Sequence, residues 1–307
     1  MLSDEKILIT GPAGKIAFGL AESLAGENEV WGISRFADSA LRAEVDALGV
    51  TTRAVDLASG EFGDLPTDFT YLLHIAVAYE RSDYDRAITV NAEGTGFILE
   101  HCRRARAALV MSALAVYKPQ SDPWYAYRED DPLGDVGLAA ATYSMSKVAQ
   151  EAVARYCSRS FSLPVTIARM GAAYGVRGGL PAGILDAIVA GQPARTRWDP
   201  CPYSVIHDDD IAAQVEPLLS AASVPATIVN WSGDETVSVQ EMAAFAGEQL
   251  GVEARVEVTP VERASLGACG DSTKRFSITG PGQVHWRDGL RRTLEARYPD
   301  RMIGTAN

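Results

Sequence analysis

Tyr143 and Lys147, in the segment YSMSK, lie four residues apart, a spacing that puts two side chains next to each other on one face of a helix. A tyrosine ionises near pH ~10 and is a poor base at neutrality. An ammonium beside it stabilises the phenolate and brings it toward the working range, so the pair can exchange a proton with a substrate oxygen. A second constellation is TGPAGKIA, residues 10–17, in which Gly11, Gly14 and Ala17 form a GxxGxxA pattern around Ala13, Lys15 and Ile16. Glycines there let the backbone turn tightly and approach a pyrophosphate, which the free N–H groups of a following helix would hold. Beyond the next strand-like run stand Ser34 and Arg35. A carboxylate at that place accepts from the ribose 2′-hydroxyl of NAD, whereas a hydroxyl and a guanidinium suit the 2′-phosphate of NADP. NADP is the expected cofactor.

These groups must be carried by a regular frame, and the chain supplies one. Short β-branched or apolar runs (KILIT, EVWGIS, TTRAVDL, TYLLHIA, ALVMSA, PVTIARM) alternate with helix-like stretches at 14–26, 37–48, 85–105 and 142–160. That rhythm predicts an α/β fold: a Rossmann-type doubly wound parallel sheet, with a smaller α/β substrate-binding lobe at the C-terminal side. Residues 1–176 and about 204–232 are assigned to the dinucleotide domain, 177–203 and 233–307 to the lobe. With 307 residues, 47% of them hydrophobic, a large core is within reach. A net charge of −12 argues against nucleic-acid or anionic-membrane partners. The longest apolar runs, 71–78 and 105–117, are too short to cross a bilayer. The N-terminus shows no secretory leader, and Cys102, Cys157, Cys201 and Cys269 make no metal-ligand spacing with the histidines. A soluble, cytoplasmic protein without metal is expected.

Taken in order, the motifs resemble those of the extended short-chain dehydrogenases/reductases, the group that holds the NAD-dependent epimerases and dehydratases. The resemblance covers nearly the whole chain: TGPAGKIA, Asp56–Leu57, HIAVA (74–78), Asn91 with Gly94–Thr95, EDDPL (129–133), YSMSK, RMGAAYG (169–175) and IHDDDIA (206–212). It implies that Asp56 and Leu57 hold the adenine, and that Ile75, Ala76, Val77 and Asn91 belong to the cofactor site. It further implies that Lys147 holds the nicotinamide ribose as well as tuning Tyr143, and that Met170 and Gly171 border the nicotinamide. A homodimer is the family's common assembly.

Three departures bear on the chemistry. The family's serine or threonine, four positions before the tyrosine of a VY pair, falls on Ala113, and the hydroxyl sits instead at Ser112. Neighbouring strand residues face opposite ways, so Ser112 is a catalytic candidate only if a bulge re-aims it. The acid pair of the family's dehydratases is replaced by Leu114 and Ala115, and the ligands that grip a nucleotide-sugar diphosphate by Ala172 and Tyr203. Around the expected substrate position stand Ala113, Leu114, Tyr117, Ala172, Trp198 and Tyr203. The leading expectation is NADP(H)-dependent interconversion of a carbonyl and an alcohol on a largely apolar substrate. The alternatives are an epimerase with tightly held cofactor, and an NADPH-binding protein without turnover.

Overall fold

The computed structural model describes residues 2–79, 83–134, 141–262 and 264–302; Met1 and 303–307, the outer ends of the two expected lobes, lie outside the described residues. Strands β1 (Lys6–Thr10), β2 (Glu29–Ser34), β3 (Thr51–Ala54), β4 (Tyr71–His74) and β5 (Ala107–Ala113) join Val165–Met170 and Thr227–Trp231 in one seven-stranded sheet. All its pairings are parallel, in the order Thr227–Trp231, Val165–Met170, β5, β4, β1, β2, β3. The doubly wound fold expected from the alternation is present. The order reverses between β1 and β4, the crevice at which such sheets bind ligands.

Strict alternation divides the core. Ile7, Ile9, Leu73, Leu109, Met111 and Ala168 pack on one face, against the helices Lys15–Ala25 and Asp208–Ser220. Leu8, Leu72, Val110, Val165 and Ile167 pack on the other, against Gly94–His101 and the long helix Ala141–Phe161. The expected 85–105 helix is interrupted by a π-helical turn, Thr89–Glu93, between Tyr84–Ile88 and Gly94–His101. A second core, built from Leu185, Ile188, Met242, Phe245, Trp286 and Leu290, fills the smaller lobe.

The lobe boundaries differ from the sequence expectation. Ala172–Gly175 and Pro202–His207 pair with each other and with Gly178–Gly179 and Thr236–Ser238 in a separate four-stranded sheet. Residues 172–175 and 204–207 therefore extend the lobe's sheet rather than the large one. Gly171 makes the close turn between the two sheets: a Cβ there would stand 2.5 Å from the Ser204 carbonyl oxygen.

Beneath the C-terminal end of the large sheet lies a buried ion pair. Arg169 donates from Nε to Glu151 Oε1 (2.9 Å) and from Nη2 to Oε2 (2.8 Å), both side chains at most 3% exposed. Its Nη1 donates to the Tyr117 hydroxyl and to the Glu129 carbonyl, and Tyr117 in turn donates to Asn230 Oδ1. A desolvated ion pair survives only when its remaining donors and acceptors are met in this way. Removing one partner leaves a buried charge alone, so Glu151→Ala is expected to cost about 3–5 kcal/mol of folding stability. Urea unfolding at neutral pH measures it, and a loss below about 1 kcal/mol contradicts the role given to this pair.

Candidate active site

β1 ends in Thr10, and the chain turns at Gly11 with φ +67 into the helix Lys15–Ala25. A Cβ on Gly11 would come within 3.1 Å of Ala76 Cα, so both the conformation and the space require glycine. The helix N-cap, Gly14, offers no side-chain cap, which leaves the first-turn N–H groups available to an anion. The turn opens on a cleft of about 900 Å³ that runs from Ser34, Arg35, Asp56 and Leu57 to Tyr143, Met170 and Gly171. This geometry fits a dinucleotide: an uncapped helix end and a close glycine turn at its middle, a carboxylate-free β2 end at one extreme and the tyrosine at the other.

Most sequence candidates meet here. Gly11, Gly14, Lys15, Ile16, Ser34, Arg35, Asp56, Leu57, Ile75, Ala76, Val77, Tyr143, Met170 and Gly171 line the cleft, as do Ala113, Leu114, Ala172 and Tyr203. Ala13 packs instead against the core. Asn91 is buried and holds the cleft wall from behind, accepting from Ala78 N (2.7 Å) and donating to Ala78 O and to Ser146 Oγ. Trp198 stands 39% exposed, away from the cleft lining. Tyr117 is corrected as a substrate contact: it is 3% exposed, its hydroxyl is committed to Asn230 and Arg169, and its ring stacks on Tyr127.

Ser112 is corrected as a catalytic candidate. The register of β5 with Val165–Met170 runs unbroken through Ser112↔Arg169 and Ala113↔Met170, so no bulge turns it. Both residues border the cleft, but alternation sends the Ser112 side chain toward the long helix, where its hydroxyl donates to Glu151 Oε1 at 2.6 Å, and turns Ala113 the other way.

Tyr143 and Lys147 share the long helix, yet the expected lowering of the tyrosine is absent. Burial, and then the neighbouring Tyr79 phenol with the hydrogen bond between them, hold Tyr143 well above its usual pKa. Lys147 points inward, 1% exposed, and donates to the Met111 carbonyl (2.8 Å) and to Gln150 Oε1 (2.9 Å). Burial pulls its pKa down to about 7, against a smaller upward pull from Glu151. With its charge spent on these two oxygens and partly lost to desolvation, the lysine does not stabilise a phenolate in this state.

Behind Lys147 runs a fully satisfied polar chain. Thr10 Oγ1 accepts the N–H groups of Ile75 and Ala76, so its proton goes to His74 Nδ1 at 2.9 Å. His74 Nε2–H then donates to Thr95 Oγ1 (2.7 Å), which also accepts from Gln150 Nε2 and donates to the Asn91 carbonyl. Partners alone assign this tautomer. Burial, and then the charge on Lys147, push His74 down to about 3, so it stays neutral.

Sequence reasoning missed Tyr79, Gln150 and Asp208. Tyr79 follows the HIAVA motif directly, lines the cleft and stacks on Tyr143 with ring centroids 4.8 Å apart and planes 13° from parallel. Asp208, within the IHDDDIA segment, lines the cleft too, with its pKa raised to about 7 by burial and then by Asp209. His207 caps the helix behind it, accepting from Asp209 N. No group of metal-ligating side chains and no helix long and apolar enough to cross a membrane occurs among the described residues. All four cysteines are buried free thiols.

The NAD dependent epimerase/dehydratase family model matches residues 7–200. No curated protein sequence matches the chain. Similar solved structures include the UDP-glucuronic acid 4-epimerase of Bacillus cereus in complex with UDP-glucuronic acid and NAD. It has a TM-score of 0.83 at 20% identity, over 95% of this chain and 98% of that one. The UDP-N-acetylglucosamine 4-epimerase of Methanobrevibacter ruminantium, in complex with UDP-N-acetylmuramic acid, gives 0.82 at 16% identity over 96% and 98%. WbmG of Bordetella bronchiseptica, in complex with NAD and UDP, gives 0.80 at 21% over 96% and 94%. At such identities the likeness carries the fold.

The lysine generates a pH prediction. A lysine with its folded pKa near 7, below its unfolded value of 10.5, weighs on stability in full below about pH 7 and is relieved as pH climbs toward 10.5. Lys147→Met is therefore expected to be more stable than wild type by about 2 kcal/mol at mildly acidic pH, with the gain shrinking in alkaline buffer. Urea unfolding of both proteins at the two pH values checks it; a pH-independent difference refutes it.

Proposed function

The chain belongs to the NAD dependent epimerase/dehydratase family, and from that premise we propose that it is a nicotinamide-dependent epimerase, inverting a secondary alcohol carbon through transient oxidation and re-reduction. Enzyme status and nicotinamide chemistry come with the family; the reaction, the residues' roles and the substrate are this proposal's own. The observation that carries it is Tyr143 lining the same cleft as Ala113, Met170 and Gly171. Two of the similar structures are 4-epimerases, which supports inversion over net reduction.

The bound dinucleotide would accept and return the hydride. Gly11, Gly14, Lys15 and Ile16 would hold its pyrophosphate, Ser34 and Arg35 its adenosine ribose, and Asp56 and Leu57 its adenine. Tyr143 takes the alcohol proton as a carbonyl forms and gives it back on the return. That requires the tyrosine to give up the proton it holds in the free protein. Lys147 assists by turning its ammonium from Met111 and Gln150 toward the phenol. Loss of water is disfavoured, since Leu114 and Ala115 offer neither acid nor base.

The substrate wall is largely apolar: Ala113, Leu114, Met170, Ala172, Leu180 and Ala268. Ala172 and Tyr203 offer no cation to a diphosphate, so a sugar or related alcohol without that group suits the site better than a nucleotide sugar. The same wall, with Arg35, favours a second reading: an NADP(H)-dependent reductase of apolar carbonyl compounds. Incubation with either dinucleotide and a panel of sugars, nucleotide sugars, secondary alcohols and ketones separates the two. Inversion seen by NMR without accumulation of reduced nicotinamide supports the epimerase, and stoichiometric consumption of NADPH supports the reductase.

Tyr143→Phe is expected to lower turnover by about 10²–10⁴-fold while cofactor binding, followed by nicotinamide fluorescence, is retained; near-normal turnover contradicts the assignment. For the cofactor, Arg35→Ala is expected to weaken NADPH about tenfold relative to NADH. Equal preference in both proteins would remove NADP as the natural partner.

A further inference from the structure

An oxygen that gains negative charge as hydride reaches its carbon is best met by two preorganised donors. Along β5 and the following turn, Ala113, Leu114 and Ala115 face the cleft with no side-chain donor, and Ser112 is spent on Glu151. Tyr203 lines the same cleft, where its hydroxyl accepts from Cys201 Sγ at 3.7 Å, which ties it to the lobe's own strand rather than to Tyr143. Tyr143 alone cannot complete the pair.

Tyr79 comes from a different element, the loop after β4, and lines the same cleft beside Tyr143. Its ring lies almost flat on that of Tyr143, 4.8 Å between centroids. The two phenols are also joined by a side-chain hydrogen bond, which keeps their hydroxyls within reach of each other. An oxygen accepting from Tyr143 within the cleft is then within reach of Tyr79 as well. Its outer face is open, the residue being 72% exposed, so the hydroxyl can swing from its neighbour to a ligand without breaking core packing.

We infer that Tyr79 is the second hydrogen-bond donor to the reacting substrate oxygen, filling from the β4 loop the place that Ala113 leaves empty. This rests on the oxidation and re-reduction proposed above. In the reducing direction a bound reduced nicotinamide would supply the hydride for the new C–H bond, with the carbonyl π electrons moving to oxygen and Tyr143 giving that oxygen its proton. Tyr79 donates throughout and keeps its own. In the oxidising direction the same bonds form and break in reverse.

The test uses the full chain with Tyr79→Phe, which keeps the stack and removes only the hydroxyl, and with Ala113→Ser, which adds a donor at the other side. The first readout needs no turnover: binding of 4-nitrophenolate, a coloured oxyanion, to the dinucleotide-loaded protein. Tyr79→Phe is expected to weaken it about tenfold, and Tyr79→Phe with Ala113→Ser to recover most of the loss. The second is kcat on whichever substrate the panel identifies, expected to fall about 10²-fold with KM little changed and to be rescued by the same double substitution. Unaltered 4-nitrophenolate binding in Tyr79→Phe overturns the inference, as does an absence of binding in wild type or a loss that Ala113→Ser leaves untouched. If Tyr143→Phe keeps its turnover, the epimerase proposal falls; if only Tyr79→Phe does, that proposal stands and Tyr79 is merely a stacking partner.

Discussion

The Arg169–Glu151 pair is the constraint on which the site's geometry rests. Glu151 belongs to the long helix, Arg169 to a central strand, and the two meet in a fork that water does not enter. A bidentate contact fixes distance and rotation together. The helix therefore cannot slide or roll on the sheet without abandoning a buried charge, and Tyr143 and Lys147, about two turns and one turn upstream, inherit that position. The same guanidinium reaches Tyr117 and the Glu129 carbonyl, so the segment leading from the sheet toward the substrate lobe is tied to the same point. Ser112, which looked like a misplaced catalytic hydroxyl, is one of the pair's supports.

Lys147 shows the opposite economy. Its burial costs stability, yet removing the cost would remove the cation that the proposed reaction assigns to Tyr143. Functional groups are commonly held in such unfavourable surroundings. Here the surroundings are also specific: a main-chain carbonyl on one side and Gln150 on the other, the glutamine itself anchored by Thr95. A hydrophobic residue in place of Gln150 would leave the ammonium with a single partner.

Much of the frame was legible from the chain alone, because period-2 apolar runs and glycine turns are local signals. The doubly wound sheet, the cleft and its glycine floor followed from them. Ser112 could be doubted from alternation, but its engagement with Glu151 could not be foreseen, since the two are 39 residues apart in the chain. Tyr117 looked like a pocket aromatic and proved to be a buried strut for the same reason. The lobe's sheet drew in residues 172–175 and 204–207, because strand assignment carries no information on which sheet a strand joins. Tyr79 bears no motif of its own; only the proximity of the β4 loop to the long helix reveals it. The tyrosine–lysine spacing put both residues on one helix, but spacing does not say which way a flexible ammonium points.

The hydrogen-bond order behind Lys147 has one more consequence. Thr10 accepts two amide protons and has a single one to give, and Thr95 likewise receives from two sides while releasing toward Asn91. A relay that conducts protons must be able to reverse every link, and neither threonine can do so without stranding a buried main-chain or side-chain group. The chain from His74 to Gln150 is therefore an insulator rather than a conductor. In the proposed reaction a proton taken up or released by Tyr143 therefore has to travel by way of the open cleft, which makes access to bulk solvent a matter of what occupies it.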